Sequence, residues 1–217
     1  ATTHGRVTIP SEEGFAERTR QIAQLWGADA VRNSDGTRLD ADVAALGKRV
    51  YSTYFPARGN NDFIRGRIEQ CPQIYLMSER VIAESGDPLR IEIMRRYFAE
   101  QLRPNLDDSP SSYWEVIDRT TGVVVPPSQW SVDRSAVVTI ERPEAFHEYT
   151  VSFLAYIIWD PVEMYNHLTN GWADKEPQIP YDIRHPETWE FVRSSFKEWL
   201  NTHPETDVVR FTSFFYQ

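Results

Sequence analysis

A chain of 217 residues, 41% hydrophobic and 25% charged, has the make-up of a globular protein with one large domain or two small ones. Its net charge of −9, with the positive residues scattered, argues against a nucleic-acid backbone or an anionic membrane as the main partner. A single cysteine, Cys71, excludes an intrachain disulfide, no apolar run approaches transmembrane length and the first residues lack a signal-peptide core, so a cytoplasmic protein is expected.

Along the chain, Ser11 is placed to cap a helix, with Glu12 and Glu13 complementing its dipole and Gly27 closing it after Phe15, Ile22, Leu25 and Trp26. Ala28 to Arg32 reads as a strand entering the polar loop Asn33-Ser34-Asp35-Gly36. Val43, Leu46 and Val50 predict a second helix, and Gln73 to Met77 a second strand. Ile91, Ile93, Met94, Tyr97, Phe98 and Leu102 predict an amphipathic helix over 88–102. From Trp114 to Ile140 the pattern alternates, with Thr120-Thr121-Gly122 as a hairpin turn, and predicts a small antiparallel β insertion. Tyr149 to Trp159 is an apolar run rich in β-formers and reads as a central strand ended by Asp160-Pro161. Pro186 to Leu200 is a helix with Trp189, Val192, Phe196 and Trp199 on one stripe. Asp207 to Phe215 reads as a buried parallel strand in which Arg210 is unfavourable unless paired or turned to a ligand.

Helices alternating with strands indicate an α/β fold. The strands at 28–32, 73–77, 151–159 and 207–215 are therefore expected to lie parallel and adjacent, with the 114–140 insertion outside. Ligands of such folds sit at the carboxyl ends of the strands. Those ends carry Arg32, Asn33, Ser34 and Asp35, then Ser78, Glu79 and Arg80, then Asp160, Glu163, Tyr165, Asn166 and His167, and last Arg210, Thr212 and Ser213. Arginine forks and amides of this kind suit an anion and sugar hydroxyls, although an arginine at a strand end is also commonly a structural ion pair. The 13% aromatic content suits either a sugar site or a well-filled core. Glu163 and His167 have the helical spacing of a metal pair, but no second histidine lies nearby, so no metal is expected. His147 and His185 read as loop residues, and Cys71 has no histidine partner for a nucleophilic role. No glycine-rich phosphate loop and no GxSxG is present.

The segments Leu25 to Thr37, Glu148 to Asn170 and Asp207 to Gln217, with Trp114-Glu115-Val116 and Asp118 to Gly122, closely resemble the N-terminal part of the galacto-N-biose/lacto-N-biose phosphorylases, glycoside hydrolase family 112. The resemblance covers essentially the whole chain. It implies a partial (β/α) TIM-type barrel, with residues 1–217 as the N-terminal portion of a catalytic domain. It also implies inverting phosphorolysis of galactosyl-β-1,3-N-acetylhexosamine to α-galactose 1-phosphate and free N-acetylhexosamine. The partners are then the disaccharide, inorganic phosphate as co-substrate and the remainder of the same polypeptide, with no cofactor. A homo-oligomer is compatible with the sequence, which also leaves the GlcNAc or GalNAc preference open. Arg32, Asn166 and Arg210 match family positions that line the sugar and phosphate site, and their side chains are expected to enter one cavity. The family's catalytic acid, an aspartate, lies beyond Gln217. A non-catalytic sugar- or partner-binding fragment is the alternative.

Overall fold

The computed structural model describes residues 7–33, 38–107 and 109–212. Strands β1 (Thr8–Ser11), β2 (Ala30–Asn33) and β3 (Arg49–Tyr54) alternate with helices α1 (Ala16–Trp26) and α2 (Ala41–Ala44), and α3 (Asn61–Ile64) follows. Next come β4 (Gln73–Met77), β5 (Val81–Ile82), β6 (Leu89–Glu92), β7 (Leu102–Pro104), β8 (Glu115–Asp118), β9 (Val124–Val125), β10 (Trp130–Val132), β11 (Val137–Ile140) and the ten-residue β12 (Glu148–Ile157). Helices α4 (Pro161–Thr169) and α5 (Pro186–Thr202) precede β13 (Val208–Phe211). The chain divides into two compact units, Ala1–Gly59 with Asp182–Gln217, and Asn60–Tyr181. Among the described residues no helix is long and apolar enough to cross a membrane.

The first unit is built on a parallel four-stranded sheet in the order β1-β2-β3-β13, an open section of wall and not a closed barrel. Ile9, Val31 and Val50 are buried on one face, where Val31 and Val50 meet Val43 of α2 and Ile9 meets Ala23 of α1. Tyr54 and Phe211 gather with Phe196 and Trp199 of α5, the Tyr54–Phe196 ring centroids lying 4.9 Å apart. Helix α1 ends as its sequence says, with Gly27 in the left-handed region at φ 65°. Its start differs. The helix begins at Ala16 with no side-chain cap, and Ser11 is the last residue of a strand. Thr8 to Ser11 is too short for a periodic signal, and the positive φ of Gly14 (81°) sets the turn between strand and helix.

Two further expectations fail. β3 occupies 49–54, so Val50 belongs to a strand, and the helix read through Val43, Leu46 and Val50 stops at Ala44. Residues 88–102 do not form a helix: Ile91 and Ile93 are buried with Glu92 exposed between them, an alternation of period two that the flanking apolar residues had masked.

The second unit is antiparallel. β12 is its centre and is paired along both edges, with β4 and β5 on one side and β8 and β7 on the other. Ser152, for example, lies opposite both Met77 and Glu115. The predicted hairpin is present as β8–β9, with Val116 facing Val125. A small sheet, β10-β11-β6, completes this part, so antiparallel pairing extends from β4 to β12. The core joins Val151, Phe153 and Ala155 of β12 to Trp114, Val116, Ile91, Val138 and Ile140. The expectation that 73–77 and 151–159 join 28–32 and 207–215 in one parallel sheet therefore fails. An apolar run buried on both faces looks the same in a central antiparallel strand as in a parallel one, and the neighbours that bury it lie tens of residues away.

Candidate functional site

The parallel sheet positions the two arginines. Arg32 of β2 lies opposite Tyr51 of β3, which lies opposite Val208 of β13, and Arg210 lies opposite Thr53. Residues in register share a face and residues two apart share a face, so Arg32 and Arg210 are on the same side of the sheet. They are two strands and two residues apart, about 12 Å between Cα atoms from strand spacing and rise. Their face is the one opposite Val31, Val50 and the helices. Arg32 and Tyr51 on it are half-buried, and Val208 and Arg210 are exposed. No carboxylate among the described residues pairs with Arg210.

Backbone anchors fix this face. Asp207 receives the Val50 amide on Oδ2 (2.8 Å) and donates its own amide to the Val50 carbonyl (3.0 Å), locking the amino end of β13. The buried Thr53 hydroxyl donates to the Asn33 carbonyl at 2.9 Å. Arg210 is not enclosed among the described residues: β13 is an edge strand whose Phe211 is 60% exposed, so the burial expected for this run is not realised over 207–212, and residues 213–215 lie outside the described residues. Ser34, Asp35 and Ser213 lie outside the described residues. A cavity of about 250 Å³ opens at the carboxyl ends of β1 and β2, lined by Ser11, Glu12, Asn33, Arg38 and Asp40 among others. The sequence reading missed its β1 side because Ser11 was read as a helix cap.

Asn166 stands on α4, in the second unit. Asp160 starts that helix: its Oδ1 accepts the amides of Val162 (2.9 Å) and Glu163 (3.0 Å), and Pro161 occupies the first turn. The Asn166 side-chain oxygen accepts from Asn170 Nδ2 at 3.0 Å. One residue on, His167 Nε2 meets Glu163 Oε1 at 2.5 Å, both side chains being buried. Glu163 Oε2 accepts from the Trp159 indole (2.5 Å) and the Gln178 amide (3.2 Å). The helical spacing of Glu163 and His167 is thus taken up by a direct hydrogen bond between the two side chains. Among the described residues no group of three His, Cys, Asp or Glu side chains is arranged to hold a metal. Asp160 and Glu163 are both committed to holding α4.

His147, read as a loop residue, places Nδ1 2.8 Å from Asp118 Oδ2, while Asp118 Oδ1 accepts the Thr120 and Thr121 amides. Burial alone would raise the Asp118 carboxyl, but the hydrogen bonds from His147, Thr121 and Thr120 outweigh it and hold it below the ordinary value. The pair ties the β8–β9 turn to the start of β12. Burial pushes the Cys71 thiol up to about 12, with Glu69 raising it further and Arg103 opposing, so it stays protonated near neutrality.

Residues 5–217 match the family described as the lacto-N-biose phosphorylase N-terminal TIM barrel domain. The chain belongs to this family. The α/β class, with part of a (β/α) barrel and an antiparallel β addition, follows from the match together with the parallel sheet. Over all 217 residues the chain is 58% identical to the 1,3-beta-galactosyl-N-acetylhexosamine phosphorylase of Bifidobacterium longum subsp. longum. A protein of that name from Lachnoclostridium phytofermentans is 44% identical over 98% of the chain. The D-galactosyl-beta-1->4-L-rhamnose phosphorylase of the same organism is 40% identical over 99% of it. The chain spans 29–30% of the length of these family relatives.

Proposed function

We propose that this chain is the N-terminal portion of the barrel domain of an inverting glycoside phosphorylase acting on galactosyl-β-1,3-N-acetylhexosamines, lacto-N-biose or galacto-N-biose. The observation that carries the reading is the 58% identity, over every residue of the chain, to a phosphorylase named for that substrate.

The chemistry needs no cofactor. An inverting hydrolase uses one carboxylic acid for the leaving group and one carboxylate to activate water. Phosphate is already an anionic nucleophile, so cationic and hydrogen-bonding groups that hold it against the anomeric carbon replace the base. A phosphate oxygen forms the new bond to C1 of galactose as the bond from C1 to the acceptor O3 breaks on the opposite face. The O3 oxygen takes a proton from the acid, leaving α-galactose 1-phosphate and free N-acetylhexosamine. Arg32 and Arg210 hold anion or sugar hydroxyls through their guanidinium forks, and Asn166 donates and accepts toward the sugar. The acid is supplied by the remainder of the polypeptide, whose strands complete the barrel beside β13. With phosphate as co-substrate and a single buried thiol, a cytoplasmic setting fits.

A substrate panel tests this. The complete polypeptide, given phosphate, is expected to turn over lacto-N-biose and galacto-N-biose with kcat/KM well above that for galactosyl-β-1,4-rhamnose. A preference for the rhamnoside, or turnover of none of the three, would contradict the assignment.

A further inference from the structure

Helix α4 carries an arrangement that the reaction does not explain. Glu163 is 2% exposed although it stands in the first turn of a nine-residue surface helix, where a glutamate ordinarily faces water. No lysine or arginine pairs with its carboxylate among the described residues. Its contacts are the Trp159 indole, the Gln178 amide and His167, each from a different part of the chain. His167 is flanked edge-on by two indoles, Trp159 at 5.2 Å and Trp172 at 6.4 Å between ring centroids. The Asp160 amide donates to the Gln178 carbonyl at 2.9 Å, and Asn61 holds the segment on either side of Gln178 through the Pro177 carbonyl and the Ile179 amide. The end of β12, both turns of α4 and the returning segment 176–179 are therefore keyed to one carboxylate.

A buried polar pair is a poor source of stability, because desolvation offsets much of the attraction, whereas an apolar pair of the same size would serve packing as well. What the hydrogen-bonded pair adds is geometry. Glu163 and His167 are one turn apart and define the locked face of α4, and Asn166 lies about 100° round the helix from His167. Its carbonyl is turned to Asn170, which directs its two N–H donors away from the helix end.

We propose that the Glu163–His167 pair is the positioning element for Asn166: it sets the rotation and axial height of α4 and so presents the Asn166 amide to the sugar. Neither residue touches substrate. The inference rests on the reading that Asn166 is a substrate contact, and a double-mutant cycle separates the two. In the complete enzyme, His167→Leu and Glu163→Gln each lower kcat/KM by about 10- to 100-fold, the scale for an ångström-sized misplacement. His167→Gln, which keeps an N–H donor near the place of Nε2, recovers most of the loss. In an Asn166→Ala background the same two substitutions change kcat/KM by less than about threefold, because the group they position is gone. Glu163→Gln keeps the size of the side chain and serves the cycle should His167→Leu fail to fold. Full multiplication of the effects in the Asn166→Ala background would overturn the positioning role alone. An Asn166→Ala enzyme with wild-type kcat/KM would overturn the substrate contact itself, and the inference with it.

Discussion

Arg32 and Arg210 are the residues on which the binding proposal stands, and each can be removed separately. Arg210 is exposed, so Arg210→Ala should leave folding intact. In the complete enzyme it should lower kcat/KM for phosphorolysis by on the order of 2–5 kcal/mol of transition-state stabilisation, the scale for losing a charged contact. Arg210→Lys should restore only part, since an ammonium cannot reproduce the two-pronged fork. An unchanged rate for Arg210→Ala would make the arginine a structural one. Strand-end position and family resemblance single out both arginines in the sequence as candidates; their shared face was not legible there, because it depends on the register through Tyr51 and Thr53. The Asp118–His147 contact was equally hidden, as 29 residues separate the partners. Its acid behaviour is testable. The Asp118 carboxyl is held below its ordinary value, so its contribution is present above about pH 4, the unfolded value, and is lost as pH falls through the depressed one. Protection factors of the 115–125 amides, corrected for the intrinsic exchange rate, should fall on acidification below about pH 4 in the wild type. Asp118→Asn should be less protected at neutral pH and show less of that acid-dependent loss; an identical pH profile would remove Asp118 from the explanation.

At the scale of elements, many local signals hold, though not the helix over 88–102, and long-range pairings do not follow from them. The stripe of α5, the Gly27 stop and the positions of β2, β4 and β12 all follow from residues a few places apart. The partners of β12 do not, since its apolar run fits any strand with neighbours on both edges. β3 went unread because Val43, Leu46 and Val50 mimic one helical stripe across a helix and a strand. The central place of β12 has an energetic consequence. Phe153 is fully buried, with its ring centroid 5.8 Å from Trp114 and 5.9 Å from Tyr97. Phe153→Ala should therefore destabilise the antiparallel unit by about 3–5 kcal/mol. Gly27→Ala, which forces a side chain into the left-handed region at φ 65°, should destabilise by about 1–2 kcal/mol. Denaturant midpoints order the two, and a Gly27→Ala loss equal to that of Phe153→Ala would contradict the packing account.

For the whole molecule, the parallel sheet is a section of barrel wall whose last strand, β13, leaves Val208 and Phe211 exposed (37% and 60%). An apolar edge strand seeks a partner. The 217 residues alone should accordingly associate in solution and, on the proposed mechanism, form no galactose 1-phosphate, because the leaving oxygen would lack its acid, a contribution of about 10²–10⁴-fold. Asp160 and Glu163 cannot replace it while they hold α4. The central claim is that this chain binds phosphate and galactose for an inverting phosphorolysis, and phosphorus and proton NMR of the complete polypeptide acting on lacto-N-biose measures it most directly. The account predicts one phosphate consumed per disaccharide cleaved, galactose 1-phosphate of α configuration as the first product, and a sharp loss of that signal with Arg32→Ala or Arg210→Ala. Free galactose with phosphate unconsumed, or a β-configured sugar phosphate, would contradict it.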